Sequence, residues 1–164
     1  MAVNFTALEV LEIAEQLERN AAKFYRDASM AAKSKDIQKL FFTLAEMEDK
    51  HKKIFAEMLA DYQQNTQANI VDPDNEMLFY MNAMAKNAGW EGKAAPKMVF
   101  KGNETPAEVL NSALKAEQAS IDFYLGIKEF VKSQSDKEKV EQIIKEEMTH
   151  VVYLQKNLEQ INKL

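Results

Sequence analysis

Cysteine is absent from the 164 residues, and there are only four glycines, three prolines and two histidines. Without thiols there is no disulfide, no thiolate nucleophile, no zinc ribbon and no cysteine-held iron–sulfur or rubredoxin-type iron centre. Long apolar runs are missing too: no stretch of about 18 apolar residues could cross a bilayer. Met1 to Glu12 has no basic start followed by an apolar core, so a signal peptide is not expected, and a cytoplasmic location is. Basic charge is also short. A formal charge of -5 and a pI near 5.2 leave no basic stripe to replace phosphate counterions, so nucleic acid is not an expected partner.

What is present suits helices. The composition is 46% apolar and 29% charged, at a length that fits one domain over residues 1–164. All three prolines (Pro73, Pro96, Pro106) and Gly89, Gly92 and Gly102 fall in the middle third, leaving both flanks free to form long helices. Capping boxes at Thr6/Glu9, Thr105/Glu108 and Ser135/Glu138 mark three starts, with Pro106 suited to a first helical position. Ser34 and Asp36 are alternatives for the fourth. The spacing predicts long helices from about Thr6 to Lys33, Lys35 to Gln63, Pro106 to Lys132 and Asp136 to Asn162. Leu11, Ala14, Glu18, Ala21, Tyr25 and Ala28 share one face of the first. Leu40, Leu44, Glu48, His51, Phe55 and Met58 share one face of the second.

Short links within each helix pair predict two antiparallel hairpins, and residues 64–104 form a crossover between them. Within it Glu76 to Asn87 reads as a short helix and Ala88 to Asn103 as a loop. A helix of about 26 residues is roughly 39 Å long, a distance such a connector can travel. The expected fold class is therefore all-α, a ferritin-like four-helix bundle of two hairpins with a long crossover. The nine methionines read as core filler, Gly126 as a site of close helix approach, Trp90 as a packed loop side chain and Lys132 to Lys139 as a solvated face.

The sequence also repeats itself at a distance of 99 residues, over segments 6–60 and 105–159. Thr6, Glu9, Val10, Leu11, Ala14, Glu18, Phe24, Tyr25, Glu48 and His51 recur as Thr105, Glu108, Val109, Leu110, Ala113, Glu117, Phe123, Tyr124, Glu147 and His150. Both histidines lie in the repeat, each three residues after a glutamate, so each pair projects from one helical face. A duplicated Glu plus Glu-x-x-His set is what a helical bundle needs to hold two metal ions. The candidate ligands are thus Glu18, Glu48, His51, Glu117, Glu147 and His150. Carboxylate oxygen with imidazole nitrogen suits iron or manganese, with zinc as a substitute. Four glutamates carry a charge of about -4, which two divalent ions neutralise; without metal, a buried unpaired carboxylate would take up a proton. Tyr25 and Tyr124 lie two turns beyond Glu18 and Glu117, placed either to orient a carboxylate or to pack as core tyrosines.

The pattern resembles the rubrerythrin-type branch of the ferritin-like superfamily over essentially the whole chain. The likeness is carried by Glu18-Arg-Asn-Ala-Ala-Lys-Phe-Tyr25, Glu48-Asp-Lys-His51, Glu117-Gln-Ala-Ser-Ile-Asp-Phe-Tyr124 and Glu147-Met-Thr-His150. It implies a non-haem di-iron centre in which Glu48 and Glu147 bridge two iron ions while Glu18, Glu117, His51 and His150 are terminal ligands. It also implies oxidation of the di-ferrous centre by hydrogen peroxide or dioxygen, and a homodimer. Two departures stand out. Rubrerythrins proper carry a rubredoxin-like domain with four cysteines, so here electrons would come from an external donor such as a rubredoxin-like protein. The family's peroxidases also use a glutamate three residues after the third-helix ligand, where this chain has Ser120, with Ala21 at the related position of the first helix.

Three functions follow as expectations. The first is an oxidoreductase whose two ferrous ions reduce peroxide or dioxygen, with small Ala21 and Ser120 leaving room for it. The second is an iron-handling ferroxidase. The third is a non-catalytic, metal-stabilised bundle serving as a sensor or interaction module.

Overall fold

The computed structural model describes residues 7–64, 74–87, 99–131 and 133–163. Regular structure among them is helical: α1 (Ala7–Ala31), α2 (Lys35–Gln64), α3 (Glu76–Asn87), α4 (Pro106–Phe130) and α5 (Gln134–Asn162). The expected helices are all found, including the short one in the crossover. The expected cap at Thr6, the Trp90 part of the loop and Lys132 lie outside the described residues.

Local chemistry accounts for the helix starts. The Thr105 side chain accepts from the Glu108 backbone N–H while the Glu108 carboxylate accepts from the Thr105 N–H, and Pro106 occupies the first turn. Of the two alternatives for α2, Ser34 is the cap: the Ile37 N–H points to its Oγ at 3.5 Å, and the Gln38 N–H donates to its carbonyl at 2.9 Å. The expected box at Ser135 and Glu138 is not formed. Ser133 caps α5 instead, accepting from the Asp136 N–H, so the helix begins two residues earlier than the sequence pattern indicated. Both serines offer a hydroxyl with a suitable residue three positions on. The earlier one leaves only three residues between α4 and α5, which tightens the hairpin.

Packing gives two apolar clusters, one toward each end of the bundle. Val10, Leu11 and Ala14 from the start of α1 meet Phe55 and Met58 from the end of α2, Phe123 and Ile127 from the end of α4, and Val140 and Ile143 from the start of α5. The other cluster joins Phe24 and Ala28, Phe41 and Leu44, Val109 and Leu110, and Leu154 and Leu158. This pairing of helix ends makes α1 antiparallel to both α2 and α4, and makes α2 parallel to α4. Parallel neighbours cannot be joined by a tight turn, so the chain must return along the bundle. That return is the crossover, and α3 packs part of it against α4.

Gly126 is where α3 comes close. A Cβ added there would sit 2.7 Å from Met81 Cγ and 3.0 Å from the Tyr80 ring, and Met81 is fully buried. Replacing Gly126 with valine should therefore destabilise the protein by about 1–3 kcal/mol through overpacking, more than the modest helix propensity gained. Urea unfolding of the metal-free protein would measure it. An unchanged midpoint would mean that α3 does not depend on this approach.

Candidate metal centre

Between the two apolar clusters, the stripes of all four long helices turn polar. Glu18 from α1, Glu48 and His51 from α2, Glu117 from α4, and Glu147 and His150 from α5 are each at most 3% exposed. All six candidate residues therefore converge on one buried place. Within α2 and α5 the three-residue spacing puts carboxylate and imidazole on the same face, almost one turn apart.

The two histidines address the two central glutamates in a crossed manner. His51 Nδ1 lies 3.2 Å from Glu48 Oε2 and 2.9 Å from Glu147 Oε1. His150 Nδ1 lies 3.2 Å from Glu48 Oε1 and 2.9 Å from Glu147 Oε2. Each central carboxylate thus presents one oxygen to each ring. Glu18 Oε2 stands 3.5 Å from His51 Nδ1, and Glu117 Oε1 stands 3.5 Å from His150 Nδ1. The rings are nearly parallel, with centroids 5.8 Å apart.

Two donor sets result. Glu18, Glu48, His51 and Glu147 offer atoms within 4.8 Å of one another, as do Glu48, Glu117, Glu147 and His150. Glu48 Oε1, both Glu147 oxygens and His150 Nδ1 are buried without a hydrogen-bond partner of good geometry. Buried polar atoms are rarely left so, and an oxygen-rich donor set with one imidazole per position suits a divalent ion such as iron or manganese. The residues fit a pair of metal ions.

The tyrosines are crossed as well. Tyr25 donates from α1 to Glu117 Oε1 on α4, and Tyr124 donates from α4 to Glu18 Oε1 on α1. Each phenol serves the glutamate of the other repeat. Tyr25 stacks on Phe41 and Tyr124 leans on Phe55, which fixes both rings. Burial, then the neighbouring carboxylate charge, pushes both phenols well above their ordinary value, so they remain hydrogen-bond donors.

One residue that the repeat does not duplicate also reaches the centre. Glu146 on α5 sets its Oε2 2.6 Å from His51 Nε2, on the far side of the ring from the carboxylate cluster. The repeat could not have revealed it, because position 47 on α2 is methionine.

Electrostatics divides the carboxylates. Burial, then the charges of Glu147 and Glu48, raises Glu18 and Glu117 well above the usual carboxylate range. Burial also opposes ionisation of Glu48 and Glu147, but the close approach of the histidines and the outer glutamates outweighs it and lowers both. For the histidines burial opposes charge, yet the carboxylates win. His51 is raised strongly by Glu147, Glu18 and Glu48, and His150 reaches about 12 through Glu117, Glu147 and Glu48. In the metal-free protein the shifts favour protons on the two histidines and the two outer glutamates, which offset the charge of Glu48 and Glu147, while His51 and Gln142 hold the partly exposed Glu146 below the usual carboxylate range.

Between α1 and α4 a cavity of about 50 Å³ reaches this cluster. Leu17, Asn20, Ala21, Ala116, Ala119 and Ser120 line its walls, and Glu18, Glu48, Glu117 and Glu147 its floor. A larger cavity of about 430 Å³, among Ala28, Ile37, Phe41, Phe100 and Pro106, shares no residue with the cluster.

The family model for rubrerythrin matches residues 9–98, which take in nearly all of the first hairpin and most of the crossover. A solved structure from Thermotoga maritima, described as a ferritin-like diiron-carboxylate protein, superposes with a TM-score of 0.70 at 23% identity. The match covers 97% of this chain and 98% of that one. At that identity the likeness establishes the fold. No curated protein matches the sequence.

Loading two divalent ions should expel about four protons, one from each histidine Nδ1 and one each from Glu18 and Glu117. The sign follows from the directions of the shifts: all four groups are raised and hold their protons to higher pH than usual, so falling pH favours the metal-free form. Affinity should drop about a hundredfold per pH unit for each ion, since two protons compete with it. Calorimetric titration with Mn²⁺ in buffers of different ionisation enthalpy would count the protons. Release of fewer than two would contradict the protonation pattern.

Proposed function

The chain belongs to the rubrerythrin family, and on that premise we propose that it is a di-iron oxidoreductase reducing hydrogen peroxide or dioxygen. The observation that carries the reading is the crossed geometry of Glu48 and Glu147, each with one oxygen toward either histidine, beside a cavity open to the cluster. In this reading Glu48 and Glu147 bridge two iron ions. Glu18 with His51, and Glu117 with His150, complete the two positions.

Bound ferrous ions would supply two electrons and Lewis acidity, and two electrons with two protons convert hydrogen peroxide to two waters. The protein's own residues do the rest. Tyr25 and Tyr124 hold the outer carboxylates in place through their phenolic hydroxyls. The apolar clusters above and below keep bulk water from the centre. A cavity of this size has room for a small oxidant such as a peroxide or dioxygen. Ser120 and Ala21 stand in that cavity where a longer side chain would fill it. No cysteine is available to relay electrons, so re-reduction falls to a donor outside these 164 residues.

Protein loaded anaerobically with Fe²⁺, desalted and mixed with peroxide or with air should develop near-ultraviolet oxo-ferric absorption, faster with peroxide. A faster rise with air, with loss of iron on desalting afterwards, would point to a ferroxidase instead. No rise with either oxidant would contradict an oxidoreductase.

Replacing Glu48 or Glu147 with alanine should abolish binding of both ions, since each carboxylate serves both positions. Two ions retained per chain in either variant, by elemental analysis, would overturn the ligand assignment.

A further inference from the structure

The internal repeat makes the two halves of the centre alike in every donor atom, yet one half has something the other lacks. His51 is held on both sides: Nδ1 faces the carboxylates, and Nε2 lies 2.6 Å from Glu146 Oε2. Glu146 is itself held, because Gln142 Nε2 donates to its Oε1 at 3.0 Å. At the positions related by the repeat, Thr43 replaces Gln142 and Met47 replaces Glu146. Among the described residues His150 Nε2 accordingly has no hydrogen-bond partner, although His150 is fully buried.

We propose that Glu146 makes the two metal positions unequal, so that the position of His51 fills first and holds its ion more tightly than that of His150. This rests on the metal-centre reading above and adds an order of occupancy to it. The physical cause lies in the imidazole. A carboxylate accepting from Nε2–H fixes the tautomer with its lone pair on Nδ1, locks the ring angle and makes Nδ1 a stronger donor. Removing such a partner typically lowers metal affinity by about 10–100-fold. Among the described residues no carboxylate takes the same place behind His150, and Met47, at the related position, carries no oxygen acceptor. Glu146 is a positioning residue, acting through His51, and its side chain is about one-third exposed (35%). It can therefore be changed without opening the core.

The test is anaerobic titration of the metal-free protein with Co²⁺, followed by its visible d–d absorption and by calorimetry. The wild type should take up two ions in two resolved steps. Glu146→Ala should weaken the first step by about 10–100-fold and leave the second in place, so that the steps merge. Glu146→Gln, which keeps an uncharged acceptor oxygen, should fall between. Met47→Glu places a carboxylate at the related position and should tighten the second step, a gain that misfolding cannot produce. Two ions bound with equal affinity by the wild type, or an equal loss at both steps in Glu146→Ala, would overturn the inference and leave the metal centre standing. Absence of Co²⁺ uptake would overturn both.

Discussion

Four carboxylates and two imidazoles share the dry middle of a helical bundle here, and the condition that governs them is electroneutrality. Leaving one uncompensated charge in such a place costs roughly several kcal/mol, a large part of the net stability of a domain this size. The centre has two ways to meet the condition. Protons held by Glu18, Glu117, His51 and His150 offset the carboxylate charge without metal, and two divalent ions in their place would offset it with metal, leaving the partly exposed Glu146 to solvent and to His51. Proton and metal therefore compete for the same atoms, and pH becomes a control on occupancy. The helices are the means of enforcing this. Each long helix has an apolar stripe interrupted near its middle, and the interruptions meet because α1 runs antiparallel to α2 and α4.

Much of this was legible in the sequence, because duplication doubles a signal that would be weak alone. One Glu-x-x-His on a helix is commonplace; two, using every histidine at a constant offset from a repeated Glu and Tyr, mark a shared centre. The short crossover helix over Glu76–Asn87 was readable as well. Other features were not. The cap of α5 moved from Ser135 to Ser133 because two serines offer the same local chemistry and the hairpin's tightness decides between them. The tyrosines lie on the expected face, but their partners are the glutamates of the opposite repeat, since antiparallel helices bring Tyr25 level with Glu117 and Tyr124 level with Glu18. Glu146 was invisible for a deeper reason. A reading built on what the halves share cannot see what only one half has.

That difference has a functional consequence. A symmetric pair of metal positions would offer an oxidant two equal partners, whereas a carboxylate behind one histidine distinguishes them. The cavity does not distinguish them, since matching residues of both repeats line it: it opens between α1 and α4, on the side of the outer glutamates rather than the histidines. Oxidant would arrive against Glu18, Glu117, Ala21 and Ser120, with the bridging carboxylates as its floor. Small side chains at positions 21 and 120 keep that entrance clear.

The central claim is that two metal ions sit within the carboxylate–histidine cluster, with Glu48 and Glu147 shared between them. Anomalous diffraction at the iron edge from crystals of anaerobically loaded protein would test it most directly. The account predicts two peaks per chain, both inside the cluster, one beside His51 and one beside His150, with Glu48 and Glu147 each within bonding distance of both. A single peak, or peaks lying outside the six residues, would contradict it.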